Sequence, residues 1–481
     1  MTGHDWEAVI GLEVHAQLKT RTKTFCRCST HFGDKPNSHV CPVCLGLPGA
    51  LPVLNREAVA MAVKTALALG CTVHTHSIFA RKNYFYPDLP KGYQISQYEM
   101  PFSSGGTVMA RLEDGSERTM RLTRIHLEED AGKSLHTITP AGTAVDLNRC
   151  GTPLMEIVSE PDLRTPAEAY AYLYRLRQTL VYLGVCDGNL EEGSLRCDAN
   201  VSVRPAGEKK FGTRTEVKNL NSFRGVEKAI AYEIERQISV IEAGGRVEQE
   251  TLLWDADRQN VRPMRSKEEA NDYRYFPDPD LLPLVLEESW IEDIKSTLPE
   301  LPQDREKRLT AQYGLPEYDA YVLTAEKEVA DYFEETVRLA AGTEPKKVSN
   351  WIMSEVLAVL AERAVPITEL KVTPEKLAGM FDLVNKGTIS GKIAKQVFDR
   401  MCDSGKTAAE IVEAAGLVQI SDADELTKIV QEIVAASPEQ AAQYRSGREK
   451  VFGYFVGQVM KATRGKANPQ IVNELLKEAL K

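Results

Sequence analysis

The alternation of apolar and polar residues near the start of the chain predicts a β-strand. In the run 10–18 every second residue is apolar, and Glu13, His15 and Gln17 stand between them. Successive side chains of a strand point to opposite faces, and a strand rises roughly 3.3 Å per residue, so Glu13 and His15 are expected on one face about 6.6 Å apart. A carboxylate and an imidazole at that spacing can share one cation.

The same period of two predicts further strands. Residues 195–204 show it most clearly, with apolar residues at the odd positions and polar residues, among them Asp198, at the even ones. Two other segments, 125–130 and 154–158, place acidic residues within otherwise apolar strand patterns. Half of each strand is therefore expected to face a core and half a polar site.

Two helices are predicted by the signals at their ends. The first begins at Thr165, where Pro166 suits the first turn and Glu168 completes a capping box, and it ends at Gly184. The second covers residues 222–243, with apolar residues at intervals of three and four before a pair of glycines. Both helices are expected to cover the sheet.

The order of these elements predicts an α+β protein of three domains. Short strands and turns alternate with the helices up to about residue 295. The run 298–302, Leu-Pro-Glu-Leu-Pro, ends that pattern, helix-compatible segments follow, and a further break falls at 403–405. The expected domains are 1–295, an all-helical domain over 296–405 and a small helical tail over 406–481.

Length and charge narrow the class of protein. The chain has 481 residues, enough for two or three domains, and a formal net charge of −10. That charge argues against general coating of nucleic acid but leaves room for a local basic patch. Such a patch, expected to meet phosphates, lies near the C-terminal end. Its members are Arg445, Arg448, Lys450, Lys461, Arg464 and Lys466.

The sequence predicts a cytoplasmic protein with no membrane association. No apolar run approaches the ~20 residues of a membrane helix, and the N-terminus lacks a signal-peptide core. Nine cysteines, four of them clustered, fit a reducing compartment with metal binding better than a disulfide framework.

The four clustered cysteines form the strongest local pattern. Cys26 and Cys28 make one close pair and Cys41 and Cys44 another. Tetrahedral zinc takes four thiolates in this arrangement, and the closed shell leaves no position for a reactive water. The prediction is a structural zinc site that braces a loop, with unmetallated thiols as the alternative.

Acidic residues on strands predict a magnesium site. Glu156 lies between Leu154 and Val158 on one strand face, and an unpaired buried carboxylate is costly unless a cation offsets the cost. The candidate ligands are Glu13, His15, Glu128, Glu156 and Asp198. Histidine is unusual for Mg²⁺, so His15 is alternatively expected to orient a water or a carboxylate. Solvated strand faces are the alternative for the whole set.

Two further patterns indicate nucleotide chemistry. Lys133 follows Gly132 as in the last part of a phosphate-binding loop, but Leu127 stands where that loop needs its first glycine. Lys133 is expected either to reach a phosphate as a point charge or to lie in a plain turn. Aromatic residues and cations coincide in 81–88 and 272–280, which suits stacking on bases, whereas packing over a sheet edge is the alternative.

Longer stretches of the chain follow the pattern of one family. They are residues 9–15, 81–88, 147–154, 191–200, 218–223, 272–277 and 465–470. In these stretches the chain resembles the B subunits of tRNA-dependent amidotransferases, and the resemblance extends over essentially its whole length.

The resemblance implies an enzyme subunit that amidates Glu-tRNA(Gln), Asp-tRNA(Asn) or both. In this family the acceptor end of misacylated tRNA is held by the B subunit, which uses ATP with Mg²⁺ to phosphorylate the side-chain carboxylate. Ammonia from glutamine, released on an amidase A subunit, then displaces phosphate, and a small C subunit completes the heterotrimer. Phosphoryl transfer needs positioning and charge neutralisation more than covalent help from the protein.

The resemblance also implies site residues and architecture. The cation and catalytic positions are Glu13, His15, Glu128, Glu129, Glu156 and Asp198. For the chemistry so implied, Lys82, Lys133 or nearby arginines are expected to neutralise the remaining phosphate charge. The implied fold is an N-terminal cradle on a largely antiparallel sheet, an all-helical domain and a YqeY-like tail that holds the outer part of the tRNA. ATP and Mg²⁺ join the zinc predicted from the cysteines. The alternative function is a non-catalytic tRNA-binding scaffold.

Overall fold

The computed structural model describes residues 5–139, 142–264, 273–417, 423–463, 467 and 469–481. Of the predicted basic patch, Arg464 and Lys466 lie outside the described residues, as do residue 272 and part of the stretch 465–470. The chain divides into two compact units, Met1–Leu301 and Pro302–Lys481. The first unit contains the sheet, and the second is helical.

The described residues of the first unit form strands and four helices. In chain order, strands β1 to β17 are Trp6–Gln17, Thr72–Val73, His76–Ser77, Ala80–Asn83, Tyr93–Ser96, Ser103–Ser104, Thr107–Arg111, Glu117–Glu129, Lys133–Thr139, Gly142–Asp146, Pro153–Ser159, Leu195–Pro205, Thr215–Leu220, Thr251–Asp255, Asn260–Pro263, Phe276–Pro277 and Leu284–Val285. Helices α1 to α4 are Arg56–Ala68, Pro166–Tyr182, Phe223–Glu242 and Glu288–Ser296.

Ten of the strands form one large sheet. Its order is β15-β14-β13-β12-β1-β11-β8-β6-β2, with β7 also paired to β8. Neighbours in this sheet run antiparallel except β13 and β14, which are parallel. Shorter ribbons join β9 with β10, β16 with β4 and β5, and β17 with β3. The predicted α+β fold with a largely antiparallel sheet is confirmed.

One face of this sheet packs against the apolar core. Leu12, Val14 and Ala16 of β1 are buried there, and α1, α2 and α3 contribute side chains to the same cluster. Burying a valine or leucine side chain fully, relative to leaving it exposed, stabilises the fold by about 1.5–3 kcal/mol. A slip of one residue would turn the apolar set of β1 to the other face, so burial fixes the register. Glu13 and His15 consequently point away from the core.

The predicted ends of α2 and α3 are confirmed, with one difference. Thr165 caps α2 by accepting the amide of Glu168, and Ser222 caps α3 by accepting the amide of Gly225. The carboxylate of Glu168 does not close the predicted capping box. Its carboxylate accepts the amide of Arg164 over 2.6 Å and pairs with Arg118 of β8. The Glu168 side chain is buried, so these two partners satisfy it in place of the Thr165 amide.

The second unit consists of short helices. In chain order, α5 to α16 are Pro302–Tyr313, Glu317–Leu323, Lys327–Leu339, Pro345–Trp351, Leu357–Arg363, Pro374–Asn385, Gly391–Ser404, Ala408–Ala415, Ala423–Ala436, Pro438–Arg445, Phe452–Ala462 and Pro469–Ala479. A π-helical turn, Ile352–Val356, joins α8 to α9, and 3-10 turns cover Ile367–Glu369 and Glu449–Val451. Across the described parts of the chain, no helix is both long and apolar enough to cross a bilayer.

Two apolar clusters hold these helices together. One extends from Leu309 to Val412 and the other from Leu426 to Leu480. The break between them falls after α12, whereas the predicted boundary at 405/406 precedes that helix. Gly405 ends α11 in a left-handed cap. The cap ends only the helix, because the first apolar cluster continues into α12. The division at 295/296 and 405/406 stays a prediction, and packing favours a later second boundary.

Candidate functional site

Strand register gathers predicted site residues on the sheet face that points away from the core. His15 of β1 lies across from Glu156 of β11, and Glu156 in turn lies across from His126 of β8. On the other side of β1, Glu13 lies across from Asp198 of β12. These residues are far apart in the sequence, and the hydrogen-bonded order of the sheet makes them neighbours.

Two carboxylates and two imidazoles, here called the acid–histidine cluster, form the centre of this face. His15 Nε2 lies 3.4 Å from Glu156 Oε2 and 3.7 Å from Glu128 Oε1. His126 Nε2 lies 3.3 Å from the same Glu156 oxygen and 3.9 Å from Glu128 Oε2. Ligand atoms of His15, Glu128 and Glu156 all lie within 4.8 Å of one another, close enough to surround one ion.

The charges of the cluster are mutually dependent. Burial disfavours the imidazolium of His15, but the hydrogen bond with Glu156 and the charges of Glu156 and Glu128 outweigh it and raise the pKa of His15 to about 9. Burial also disfavours ionised Glu156, yet His126 and His15 hold its pKa well below the usual value. Burial and then the charge of Glu156 raise the pKa of Glu128. A divalent cation would stabilise both carboxylates in their ionised form.

Glu13 and Asp198 lie beside the cluster with partners of their own. Asn200 Nδ2 donates a hydrogen bond to Glu13 Oε1 over 2.9 Å. Lys218 Nζ of β13 donates to Asp198 Oδ2 over 2.6 Å. Burial and the charge of Glu156 raise the pKa of Glu13. Neither Glu13 nor Asp198 belongs to the set of described residues whose atoms are close enough to surround the same ion.

The cluster borders a cavity of about 950 Å³. Its walls combine acids, cations and tyrosines, among them Glu13, His15, Lys82, Tyr84, Arg124, His126, Glu156, Asp198, Lys218, Tyr273 and Tyr275. Lys82 Nζ lies 4.8 Å from the ring centre of Tyr273. Burial opposes the charge of Lys82, but Glu128 and other anionic neighbours raise its pKa. A cavity of this size accepts a nucleotide-sized ligand.

The donor set fits Mg²⁺ through its carboxylates. Mg²⁺ usually keeps several waters and binds one or two carboxylates together with substrate phosphates, which matches Glu128 and Glu156. The buried Nδ1 of His126 has no hydrogen-bond partner within the described protein. His15 is placed either to contact the ion or to hold Glu156.

Glu129 and Lys133 are not brought to this cavity. Glu129 follows Glu128 on β8 and so faces the core side, where Lys91 and the amide of Ile95 contact its carboxylate. Lys133 is exposed at the start of the β9–β10 ribbon. A Cβ at Gly132 would approach the Leu147 side chain to 2.8 Å, so close packing of the turn explains this glycine without a phosphate. Neither predicted role gains support from these positions.

Several cavity residues escaped the sequence-based set, among them Arg124, His126 and Lys218. Arg124 and His126 alternate with Glu128 on β8, so the period of two already contained the signal that would have found them. Lys218 lies on β13, a strand that the sequence pattern did not predict. Lys82, which was in the predicted set, does line the cavity.

The four clustered cysteines form a second candidate metal site. The sulfurs of Cys26, Cys28, Cys41 and Cys44 all lie within 4.8 Å of one another, and those of Cys41 and Cys44 are 3.8 Å apart. Zinc–sulfur bonds of about 2.3 Å in a tetrahedron separate the sulfurs by about 3.8 Å. The hydrogen bond from Cys26, and further the charge of the buried Lys23, lower the pKa of Cys44. The geometry fits a closed structural zinc site.

This cysteine cluster borders its own cavity of about 310 Å³, which is also lined by Lys91 and Glu129. None of the described residues that line it also lines the larger cavity. The four cysteines and the acid–histidine cluster therefore border separate cavities in the first unit.

Comparison of the whole chain with known proteins identifies its family. The family described as GatB/GatE catalytic domain matches residues 8–292, and the one described as GatB domain matches residues 331–480. The chain is 59% identical over 475 residues to the aspartyl/glutamyl-tRNA(Asn/Gln) amidotransferase B subunit of Chlorobium phaeobacteroides (strain BS1), covering 99% of each chain. Proteins with the same name from Geotalea daltonii and Geobacter sulfurreducens are each 58% identical, covering 99% of this chain and 99% and 100% of their own.

The acid–histidine cluster, its cavity and the four cysteines all fall within the region matched as a catalytic domain. The match to the Chlorobium protein covers all but a few residues of both chains. The chain therefore belongs to the family of aspartyl/glutamyl-tRNA(Asn/Gln) amidotransferase B subunits.

Proposed function

We propose that this chain uses ATP to activate the side-chain carboxylate of Glu-tRNA(Gln), Asp-tRNA(Asn) or both. Ammonia released from glutamine by an amidase A subunit then yields Gln-tRNA(Gln) or Asn-tRNA(Asn), and a small C subunit completes a heterotrimer. The observation that carries this proposal is the acid–histidine cluster bordering a nucleotide-sized cavity.

A scaffold that only binds tRNA gives no reason for this cluster. Carboxylates repel RNA phosphates, and a buried carboxylate costs free energy unless a cation pairs with it. Glu128 is nevertheless almost fully buried, at 2% exposure, with Glu156 beside it. Phosphoryl transfer assisted by a metal ion requires carboxylates of this kind.

The proposed chemistry has two steps. An oxygen of the substrate carboxylate attacks the γ-phosphorus of ATP, and the bond to the β,γ-bridging oxygen breaks, which yields an acyl phosphate and ADP. Ammonia then attacks the acyl carbon, and phosphate leaves with the electrons of the carbon–oxygen bond. A carboxylate alone cannot undergo the second step at a useful rate, because its leaving group would be oxide.

The cavity residues have distinct proposed roles. Glu128 and Glu156 would hold Mg²⁺, with His15 against both carboxylates, and the bound ion would neutralise charge on the phosphates. Lys82 adds a fixed positive charge on the tyrosine wall. Glu13, whose pKa is raised by burial, is the proposed acceptor of the proton that the attacking ammonia loses.

Two further assignments accompany this proposal. The four cysteines would hold a structural Zn²⁺ that braces the loop between them and takes no part in the reaction. Aminoacyl-tRNA for translation is a cytoplasmic substrate, so we assign the protein to that compartment.

The direct test uses the purified three-subunit complex with γ-labelled ATP and no ammonia donor. We expect label transfer to an acyl phosphate, or its release as phosphate, only when misacylated tRNA is present. Uncharged tRNA and Gln-tRNA(Gln) are the controls. A complex that binds misacylated tRNA without stimulated ATP turnover would instead support the scaffold.

We also propose that the tail, residues 406–481, holds the outer part of the tRNA. Arg448 and Lys461 of the predicted basic patch are exposed. Changing both to glutamate is expected to weaken tRNA binding and to flatten its dependence on salt by about 0.7–0.9 in log–log slope for each phosphate that the tail no longer neutralises. The matched control is the same charge change at Lys428 and Lys477, exposed tail lysines outside the patch. Identical salt titrations for the two double variants would contradict the assignment.

A further inference from the structure

An unpaired guanidinium lies in the wall of the larger cavity. Arg124 precedes His126 by two residues on β8, so its side chain points to the same face. Its direct cross-strand neighbours are Val158 of β11 and Ser104 of β6, and neither carries a charge. The side chain of Arg124 makes no ion pair or hydrogen bond with any residue that the structure describes, and its Nε is buried without a partner.

Two arginines of β12 that lie near the cavity face are paired with carboxylates. Arg196, on the same face, lies 3.0 Å from Asp130, and Arg204 on the same strand lies 2.6 Å from Glu7. Burying a guanidinium N–H without an acceptor is unfavourable, so the sequence gains nothing in stability from leaving Arg124 unpaired. The terminal nitrogens of Arg124 are not among the buried unpartnered atoms, so an anion that enters the cavity can reach them.

The surroundings of Arg124 hold its planar group in place without neutralising it. Its Cζ lies 5.7 Å from the ring centre of Tyr98. Tyr98 stacks on Tyr275 with 4.2 Å between ring centroids and 7° between planes, and Tyr275 lines the cavity. An aromatic face attracts the cation but leaves its N–H groups free at the edge of the plane.

We propose that Arg124 binds an oxyanion of the reacting groups, either the phosphoryl group in transfer or the substrate carboxylate that accepts it. This inference rests on the proposed function. Both anions present two oxygens that match the fork of a guanidinium, which the point charge of Lys82 does not. Because no carboxylate of the described strands lies opposite Arg124, that fork stays available to the substrate.

The first test compares Arg124→Met and Arg124→Lys in the three-subunit complex. We expect Arg124→Met to lower kcat/KM for amidation by about 10²–10³-fold, as the loss of one donor to a transition-state oxyanion does. Arg124→Lys should recover only part of this loss, because lysine restores the charge without the fork. Millimolar methylguanidinium should partly rescue Arg124→Ala, an effect that a merely structural role would not show.

The matched control is Arg121→Met on the same strand. Arg121 is exposed and pairs with Asp162 over 2.7 Å, outside the cavity. Its variant should keep the activity of the unmodified complex. If Arg124→Met and Arg121→Met are equally active, the proposal is wrong. It is also wrong if Arg124→Ala unfolds no more readily than the unmodified protein yet methylguanidinium gives it no rescue.

Binding measurements identify which anion Arg124 contacts. If it contacts the phosphoryl group, Arg124→Met weakens ATP binding and leaves tRNA binding unchanged. If it contacts the carboxylate, ATP binding is unchanged, and the variant no longer prefers Glu-tRNA(Gln) over its amide product. A complex with unmodified Arg124 that forms no acyl phosphate would refute the proposed function itself, which these comparisons between variants do not test.

Discussion

Glu156→Gln is expected to reduce acyl-phosphate formation by at least about 10²–10³-fold while leaving tRNA affinity unchanged. The Oε2 atom of Glu156 faces both His15 and His126, at 3.4 Å and 3.3 Å. Glutamine keeps the shape of the side chain but removes the negative charge that, in the proposed function, would hold a divalent cation beside Glu128. Label transfer from γ-labelled ATP, measured with saturating Mg²⁺ and misacylated tRNA, gives the rate.

Glu160→Gln is the matched control for this variant. Glu160 follows the end of β11 and accepts a hydrogen bond from Thr123 Oγ1 over 2.8 Å, outside the cavity. Its activity should equal that of the unmodified complex. Equal activity of Glu156→Gln would mean that the cluster holds no catalytic ion, and the scaffold would then be the better account.

Cys44→Ser is expected to release zinc and to lower the melting temperature of the complex by at least about 5 °C. Cys44 is buried, at 4% exposure, and its sulfur is within 3.8 Å of that of Cys41. A serine oxygen is a poor zinc ligand, so the loop that the metal braces would lose its cross-link. Metal analysis and thermal unfolding measure the two effects.

Cys150→Ser provides the control for zinc loss. The Cys150 thiol is also buried and donates to the backbone oxygen of Cys44 over 3.4 Å, yet it is not among the four clustered sulfurs. We expect it to retain one zinc per chain. Should Cys44→Ser stay folded at 20 °C but lose all label transfer, the zinc would have a catalytic part and its structural assignment would fail.

Local sequence patterns were sufficient to predict the strands and helices described next. Burial on alternate residues predicted β1 and β12, because one apolar face must meet the core. Thr165 and Ser222 predicted where α2 and α3 begin, since a hydroxyl that accepts a free amide acts within one turn. The two cysteine pairs also lie close together in the sequence, so their meeting in space required no knowledge of the fold.

Neighbouring positions in the sequence were misleading where the face of a strand mattered. Glu128 and Glu129 are adjacent and both almost fully buried, but only Glu128 belongs to the acid–histidine cluster. Their alternation places them on opposite faces, and the sequence contains no local signal that says which face holds the site. Lys133 was included through a fragment of a motif, whereas packing against Leu147 explains the preceding glycine.

The sequence by itself determined strands β1 and β12, the first residues of α2 and α3, and the two cysteine pairs, because each depends on residues that are close together in the chain. Only the tertiary structure decided that His126 joins His15 and Glu156, that Arg124 has no acidic cross-strand neighbour, and that Glu129 belongs elsewhere. Those relations depend on which strands pair and in what register. Register is set by burying the apolar face of the whole sheet, a property of residues more than a hundred positions apart.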